Sequence, residues 1–135
     1  MRYVNTVGSG FLFLGMLILC AGCGKQTVQI NDTIDIPANK VGTFKVEAKK
    51  ASMLVGNWTS KGSTANVKGA TDDTLVDFRL LGPNNEVLQK LDHPIEGNFS
   101  IDITKPGIYT FEFNNTGIVR SSGRNVTIKG TLTAK

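Results

Sequence analysis

The chain has 135 residues and a formal net charge of +4, because it contains 15 Lys and Arg and 11 Asp and Glu. This length fits one domain and excludes two catalytic domains or a large enzyme barrel. Hydrophobic residues make up 40% of the chain and charged residues 19%, which favours a folded core over a disordered chain or a coiled coil. The basic residues are scattered along the chain, so nucleic-acid binding is not expected.

The first 22 residues have the pattern of a secretory signal peptide. Arg2 precedes an apolar run at 11–19, and two small residues follow at 21–22. The run is shorter than the about 20 apolar residues that a membrane-spanning helix needs. The sequence therefore predicts a cleaved signal peptide, with an uncleaved membrane anchor as the alternative.

Segment 19–23 (LCAGC) resembles the lipobox of bacterial lipoproteins, from which it departs only at Cys20, where Leu is commonest. The resemblance implies that Cys23 receives a diacylglyceryl group, that residues 1–22 are removed and that 23–27 form a lipidated tether. The domain at 28–135 would then lie in the bacterial cell envelope, held at a membrane through the lipid on Cys23. No Asp follows Cys23, which favours the outer membrane if the source is Gram-negative.

The two cysteines also admit other interpretations. Cys20 and Cys23 form a CxxC, but a redox pair of this type needs a thioredoxin-like βαβ context to lower its thiol pKa. Together with His93 they are too few to close a tetrahedral zinc site without carboxylates. We therefore expect the domain to fold without a disulfide, metal or cofactor.

From residue 28 onward the chain reads as short strands separated by turn signals. No stretch shows a helical period, and the alternation of aromatic and polar residues at 108–113 is the clearest period of two. Turn signals fall at 31–32, 61–63, 82–85 and 104–107. The fold class is therefore all-β, an antiparallel β-sandwich or jelly roll of about eight strands. The predicted strands are 28–36, 41–48, 52–58, 64–67, 74–81, 86–91, 98–103, 108–113 and 125–133.

The inward positions of these strands give a predicted core. Their side chains are large and apolar and alternate with polar neighbours, as expected for strands with one buried face. The predicted core residues are Phe44, Val46, Phe78, Leu80, Phe99, Ile101, Tyr109, Phe111, Phe113, Val126 and Ile128.

Four further motifs resemble the GOLD (Golgi-dynamics) domain in order and spacing. They are the strand 75–80 with its Gly-Pro-Asn turn, the Gly-x-Phe at 97–99, GIYTFEFNN at 107–115 and the closing strand at 126–128, preceded by Trp58. The likeness spans about 41–132 and departs from the family in lacking its two paired cysteines. Bacterial prepeptidase C-terminal domains show a similar layout. The resemblance implies a β-sandwich that binds proteins and performs no chemistry.

Catalytic and metal-binding patterns are absent from the sequence. No serine lies in a Gly-x-Ser-x-Gly elbow, and His93 precedes a proline in a turn-like segment. Asp72, Asp73 and Asp77 match no calcium-loop spacing and are read as a solvated strand entrance. The protein is therefore not expected to be an enzyme or to bind a metal.

Two binding hypotheses remain. An envelope protein partner would bind the long loop at 114–124, where Ile118 and Val119 lie beside Arg120 and Arg124. Alternatively, Ile118 and Val119 form a short strand at a sheet edge. In the second hypothesis a carbohydrate stacks on Trp58 as an exposed platform, although a single Trp in an alternating strand is more often part of the core.

Overall fold

The computed structural model consists of β-strands joined by turns and loops, which confirms the all-β fold class. No helix in the described part of the chain is long and apolar enough to cross a membrane. The described residues are 3–7, 10–14, 18–19, 25–62, 75–92, 94–116 and 123–135.

The strands form two stacked sheets and a small hairpin, and every strand pair is antiparallel. The strands are β1 (Tyr3–Val7), β2 (Gly10–Leu14), β3 (Ile18–Leu19), β4 (Thr27–Ile36), β5 (Val41–Ala48), β6 (Ser52–Gly62), β7 (Asp77–Leu81), β8 (Val87–Leu91), β9 (Glu96–Ile103), β10 (Gly107–Asn114) and β11 (Arg124–Ala134).

The strand order is that of a jelly roll. One sheet has the order β5-β10-β7-β8, and the other has the order β3-β4-β11-β6-β9. Taken from β4 to β11, the chain therefore places four strands in each sheet, as an eight-stranded jelly roll does. We call the two layers the four-stranded and the five-stranded sheet.

The segment before β4 forms β1 and β2, which pair with each other, and β3, which pairs with the start of β4. These strands lie within residues 1–22, the predicted signal peptide, which stays a prediction. Each core side chain that the structure describes lies between Val28 and Ala134.

Side chains alternate between buried and outward positions along most strands, and the inward ones form one core between the sheets. Ten of the predicted core residues are buried, and the eleventh, Ile101, is partly buried and packs against them. This confirms the strand register inferred from the alternation.

Aromatic rings join the two sheets. Trp58 lies 5.1 Å from both Phe78 and Phe113, centroid to centroid, and Phe99 lies 4.9 Å from Phe111. Trp58 and Phe99 come from the five-stranded sheet, and the other three rings come from the four-stranded sheet. Because each contact crosses the sandwich, these rings hold the sheets together in a tilted or edge-on arrangement that aromatic pairs prefer.

The strand predicted at 28–36 is confirmed as β4, whereas the turn expected inside it at 31–32 is wrong. Strand β4 continues through it, and Asp32 points inward with 8% of its surface exposed. Its Oδ1 accepts a hydrogen bond from the backbone N–H of Thr33 at 2.8 Å. Beyond the short pairing with β3, β4 has no ladder partner on its outer side among the described residues, and an inward carboxylate on such an edge discourages pairing with another chain.

The turn expected at 61–63 is also wrong, because β6 runs on to Gly62, which pairs with Arg124 of β11. The predicted strand at 64–67 lies outside the described residues. The turn at 82–85 is confirmed: Asn85 has a φ of 61°, and its N–H donates to the carbonyl of Gly82 at 3.0 Å. Gly107, with a φ of +150°, lies against the ring of Pro83 in this turn.

The sandwich has two ends, which we name from the position of residue 25. The basal end contains residues 25–26, 49–51, 82–86, 104–106 and 135. There, the N–H of Ala134 donates to the carbonyl of Gln26 and that of Lys135 to the carbonyl of Ala51. The distal end contains the described parts of the remaining loops, at 37–40, 92, 94–95 and 115–116.

Candidate functional site

Most residues of the predicted partner loop lie outside the described residues. This applies to Ile118, Val119 and Arg120, and also to the predicted lipidation site Cys23. Arg124 is the exception: it begins β11 and is fully buried.

Arg124 is held by the backbone. Its Nε donates to the carbonyl of Leu75 and its Nη1 to the carbonyl of Gly123, each at 3.1 Å. A guanidinium offers five donors in a fixed fork and is suited to bridging backbone carbonyls in this way. This corrects the expectation that Arg124 is an exposed contact for a partner, because its side chain joins segments of the fold.

Trp58 is fully buried, which rules it out as an exposed sugar-stacking platform. Its indole edge packs so close to Gly97 that a Cβ there would lie 2.7 Å from Nε1. The remaining aromatic side chains that the structure describes are buried as well. Within the described residues, therefore, no aromatic ring is available to stack on a sugar.

The outer surface of the five-stranded sheet is almost entirely polar. We call it the polar face and define it by the outward side chains of its three central long strands β4, β11 and β6. It is rich in amides and hydroxyls, which both donate and accept hydrogen bonds. The polar face consists of Thr27, Gln29, Asn31, Thr33, Asp35, Asn125, Thr127, Lys129, Thr131, Thr133, Met53, Val55, Asn57, Thr59 and Lys61.

At the two ends of the polar face, side chains bond to one another across the strands. Asn125 Nδ2 donates to Asp35 Oδ1 at 2.6 Å near the distal end. The hydroxyls of Thr33 and Thr127 lie 3.2 Å apart. Near the basal end, the hydroxyls of Thr27 and Thr133 lie 3.3 Å apart. These polar groups are therefore satisfied, at least in part, within the fold.

The middle of the face differs. Lys129 lies between its cross-strand partners Asn31 on β4 and Asn57 on β6, and Thr131 lies in the next row beside Gln29. Among the described residues, no side-chain hydrogen bond or ion pair engages any of these five groups. The centre of the polar face thus presents amide, hydroxyl and ammonium groups that are free to bind a ligand.

These groups surround a shallow depression of about 370 Å³. At its floor, Gly56 and Gly130 are direct cross-strand partners. The ring of Phe99 packs beneath both glycines. A Cβ added to Gly56 would lie 2.5 Å from Cζ of this ring, and a Cβ added to Gly130 would lie 3.1 Å from it. Only glycine permits this close approach of two backbones and a ring. The depression is lined by Gln29, Ile30, Asn31, Gly56, Asn57, Lys129, Gly130 and Thr131.

Across the described residues, no three His, Cys, Asp or Glu side chains gather in a way that could hold a metal. Burial and then the negative charge of Glu86 raise the pKa of Tyr109. Tyr109 belongs to the core, away from the polar face.

Comparisons with known proteins leave the family open. No family model matches the chain, and no curated protein matches it. The GOLD resemblance therefore stays a prediction.

Among solved structures, a family 29 carbohydrate-binding module in complex with mannohexaose is similar in architecture. The two are 15% identical with a TM-score of 0.39, over 98% of this chain and 92% of the other. The likeness is too distant to indicate a ligand for this chain.

The polar face was missed by the sequence analysis, although part of its signal is visible. Thr127, Lys129, Thr131 and Thr133 alternate with apolar or glycine positions in one strand, which marks an outward polar row. The pairing of β11 with β4 and β6, which are far away in sequence, is what gathers the site. No local pattern predicts which distant strands become neighbours.

Proposed function

We propose that the chain is a lipid-anchored, non-catalytic binding module of the bacterial cell envelope, and that its polar face binds a glycan. The choice of a glycan as ligand is supported by a cluster of polar side chains around the depression that make no side-chain hydrogen bond within the described residues. The cluster consists of Asn31, Asn57, Lys129, Gln29 and Thr131. The lipobox resemblance at Cys23 supports the anchor.

A glycan fits this cluster better than a protein surface does. The cores of protein interfaces are enriched in aromatic residues, Met and Arg and depleted in Lys and Ser. The centre of the polar face instead offers two Asn, one Gln, one Thr and one Lys. Sugar hydroxyls both donate and accept, as amide side chains do, so each can satisfy the other. The protein-partner hypothesis depends on Ile118 and Val119, which the structure does not describe.

The affinity of a single site should be low. Each hydrogen bond to a ligand replaces one to water and contributes about 1 kcal/mol net. Four such bonds would give about 4 kcal/mol, which corresponds to a Kd of about 1 mM. Many copies anchored side by side in a membrane would bind a long polymer more tightly through avidity. The expected ligand is therefore a polymeric envelope glycan rather than a free sugar.

The ligand is tested by affinity electrophoresis of the purified full chain through gels that contain envelope polysaccharides, since this method detects weak binding. Asn57→Ala and Lys129→Ala should each reduce the retardation, with little change in thermal midpoint. Lys45→Ala, on the outer surface of the four-stranded sheet, is the matched control and should migrate as the parent does. Absence of retardation by any polysaccharide, or equal loss in the control, would refute the glycan.

The anchor is tested separately. Metabolic labelling with a fatty-acid analogue should mark the wild type and spare Cys23→Ser, because the variant lacks the thiol that would carry the diacylglyceryl group. Equal labelling of both, or a mature N-terminus elsewhere by mass spectrometry, would contradict lipidation at Cys23.

A further inference from the structure

The basal end of the sandwich is strongly basic. Its loops and terminal residues bring together Lys25, Lys49, Lys50, Lys105 and Lys135, all of them exposed. Lys135 pairs with Asp102, whereas no ion pair within the described residues engages the other four. Glu86 is the only acidic residue in these segments.

Exposed apolar side chains flank the same end. Ile108 is 52% exposed and Val87 54% exposed, and each lies at the start of its strand next to a basal turn. Leu88 and Met53 are also exposed, and they are the second residues of β8 and β6, which both start at the basal end. Ile95 is the one large exposed hydrophobic of the described residues that lies at the distal end.

The distal end has the opposite balance among its described residues. Asp35, Asp77, Asp92 and Glu96 lie at or beside its loops, against Lys40, Lys61 and the buried Arg124. On the same count, the five basal lysines lie against Glu47, Glu86 and Asp102. Among the described residues, positive charge is therefore concentrated at the basal end, although the sequence shows only a mild and scattered excess of basic residues.

We infer that the basal end docks onto an anionic lipid surface and that its lysines contact lipid phosphates. The inference rests on the proposed anchor, because at most about 14 Å of extended chain separates Cys23 from the start of β4. The anchor would keep the basal end within reach of the membrane surface, and contact with that surface would bring the lysines within the Debye length of about 10 Å over which the lipid charges act. Each basic residue near an anionic surface adds about 1 kcal/mol of attraction, which would orient a protein that its lipid already holds at the membrane.

Docking fixes the orientation of the module. The long strands run from the basal to the distal end, so they stand away from the membrane when the basal end lies on it. The polar face then points sideways and stays open to a polymer, and the acidic distal end points away from the lipid. A docked basal end thus brings the proposed binding site into the space beside the membrane.

The test uses the full chain, purified from bacterial membranes and reconstituted into phosphatidylcholine vesicles with or without phosphatidylglycerol. A fluorophore is attached to Ala51→Cys at the basal end or to Thr116→Cys at the distal end. Quenching by a lipid-borne quencher should be strong at position 51 in anionic vesicles, weaker in neutral ones or at high salt, and small at position 116 throughout.

Charge variants sharpen the test. Each lysine removed should lower the ratio of docked to undocked protein about fivefold, so Lys49→Gln, Lys50→Gln and Lys105→Gln together should lower it about a hundredfold. The matched control combines Lys40→Gln, Lys61→Gln and Lys90→Gln, which remove the same charge elsewhere and should leave quenching unchanged.

Failure of docking and failure of the anchor give different results. Mass spectrometry of the same sample reports the acyl chains on Cys23. A lipidated protein that is quenched equally at positions 51 and 116, or equally in anionic and neutral vesicles, overturns the docking alone. An unlipidated Cys23 overturns both the anchor and the inference that rests on it.

Discussion

Truncation of Phe111 is the sharpest test of the core. Phe111 is fully buried in the centre of β10, and its ring lies 5.7 Å from Phe44, 6.2 Å from Phe78 and 4.9 Å from Phe99, centroid to centroid. Phe111→Ala removes contacts to both sheets at once. Its neighbours are large rings in a crowded interior, so the cavity should close only in part.

The expected loss is large relative to the stability of the domain. Truncation of a buried Phe costs about 3–5 kcal/mol, and the three ring contacts favour the upper part of this range. A small domain has about 5–15 kcal/mol in total. With a urea m-value of about 2 kcal/mol per molar, a loss of about 4 kcal/mol lowers the unfolding midpoint by about 2 M.

Thr110→Ala is the matched control. Thr110 is the preceding residue and points outward, between Lys45 and Leu81. Its truncation removes a β-branched side chain and should cost about 1 kcal/mol or less, or about 0.5 M in midpoint. Urea unfolding followed by Trp58 fluorescence measures both variants. Equal midpoints for the two variants would refute the inward orientation of Phe111 and with it the register of β10.

Three other substitutions test the turns and the buried polar groups. Gly107→Ala should lose about 1–3 kcal/mol, measured by urea unfolding, because its φ of +150° disfavours a side chain and the Cβ would lie 2.6 Å from Pro83. Burial and then the charge of Glu86 raise the pKa of Tyr109, so above pH 10 tyrosine ionises more readily in the unfolded chain and the wild type should lose stability. In pH-dependent thermal melts, Tyr109→Phe should lose less stability over the same pH range. Arg124→Met should cost about 2–3 kcal/mol, since it leaves two carbonyls without their donor; an unchanged midpoint would show that the guanidinium is not structural.

Much of the fold follows from the sequence because the sandwich is built from simple alternation. Around Phe111, every second residue of β10 is aromatic. In a strand with one buried face, these residues can only point inward together while their neighbours point outward. The same rule locates β5, whose bounds match the predicted strand at 41–48. One error arises where a polar residue faces inward: Asp32 is typical of a turn, yet it lies inside a continuous edge strand. The other arises where Lys61 and Gly62, also typical of a turn, continue β6 by pairing with β11.

The candidate site was much less predictable, for two physical reasons. Asn31, Asn57 and Lys129 lie on three strands from distant parts of the chain, and they become neighbours only through the jelly-roll pairing. The depression also depends on the close approach of Gly56 to Gly130. In the sequence, each glycine alone indicates only a locally destabilised strand. Trp58 shows the converse, because the sequence allowed either a platform or a core position and only burial decides between them.

The topology of the sandwich links the position of the candidate site to that of the proposed anchor. The first long strand, β4, starts at the basal end and also forms one side of the polar face. A chain anchored just before β4 therefore carries its binding residues at a fixed height above the lipid, set by the rise of about 3.3 Å per residue along a strand. Asn31 lies four residues into β4, which places the depression on the order of 15 Å from the basal end. A polymer that runs parallel to a membrane surface could reach the depression at that height without displacing the lysines from the lipid, so binding and docking are compatible in one orientation.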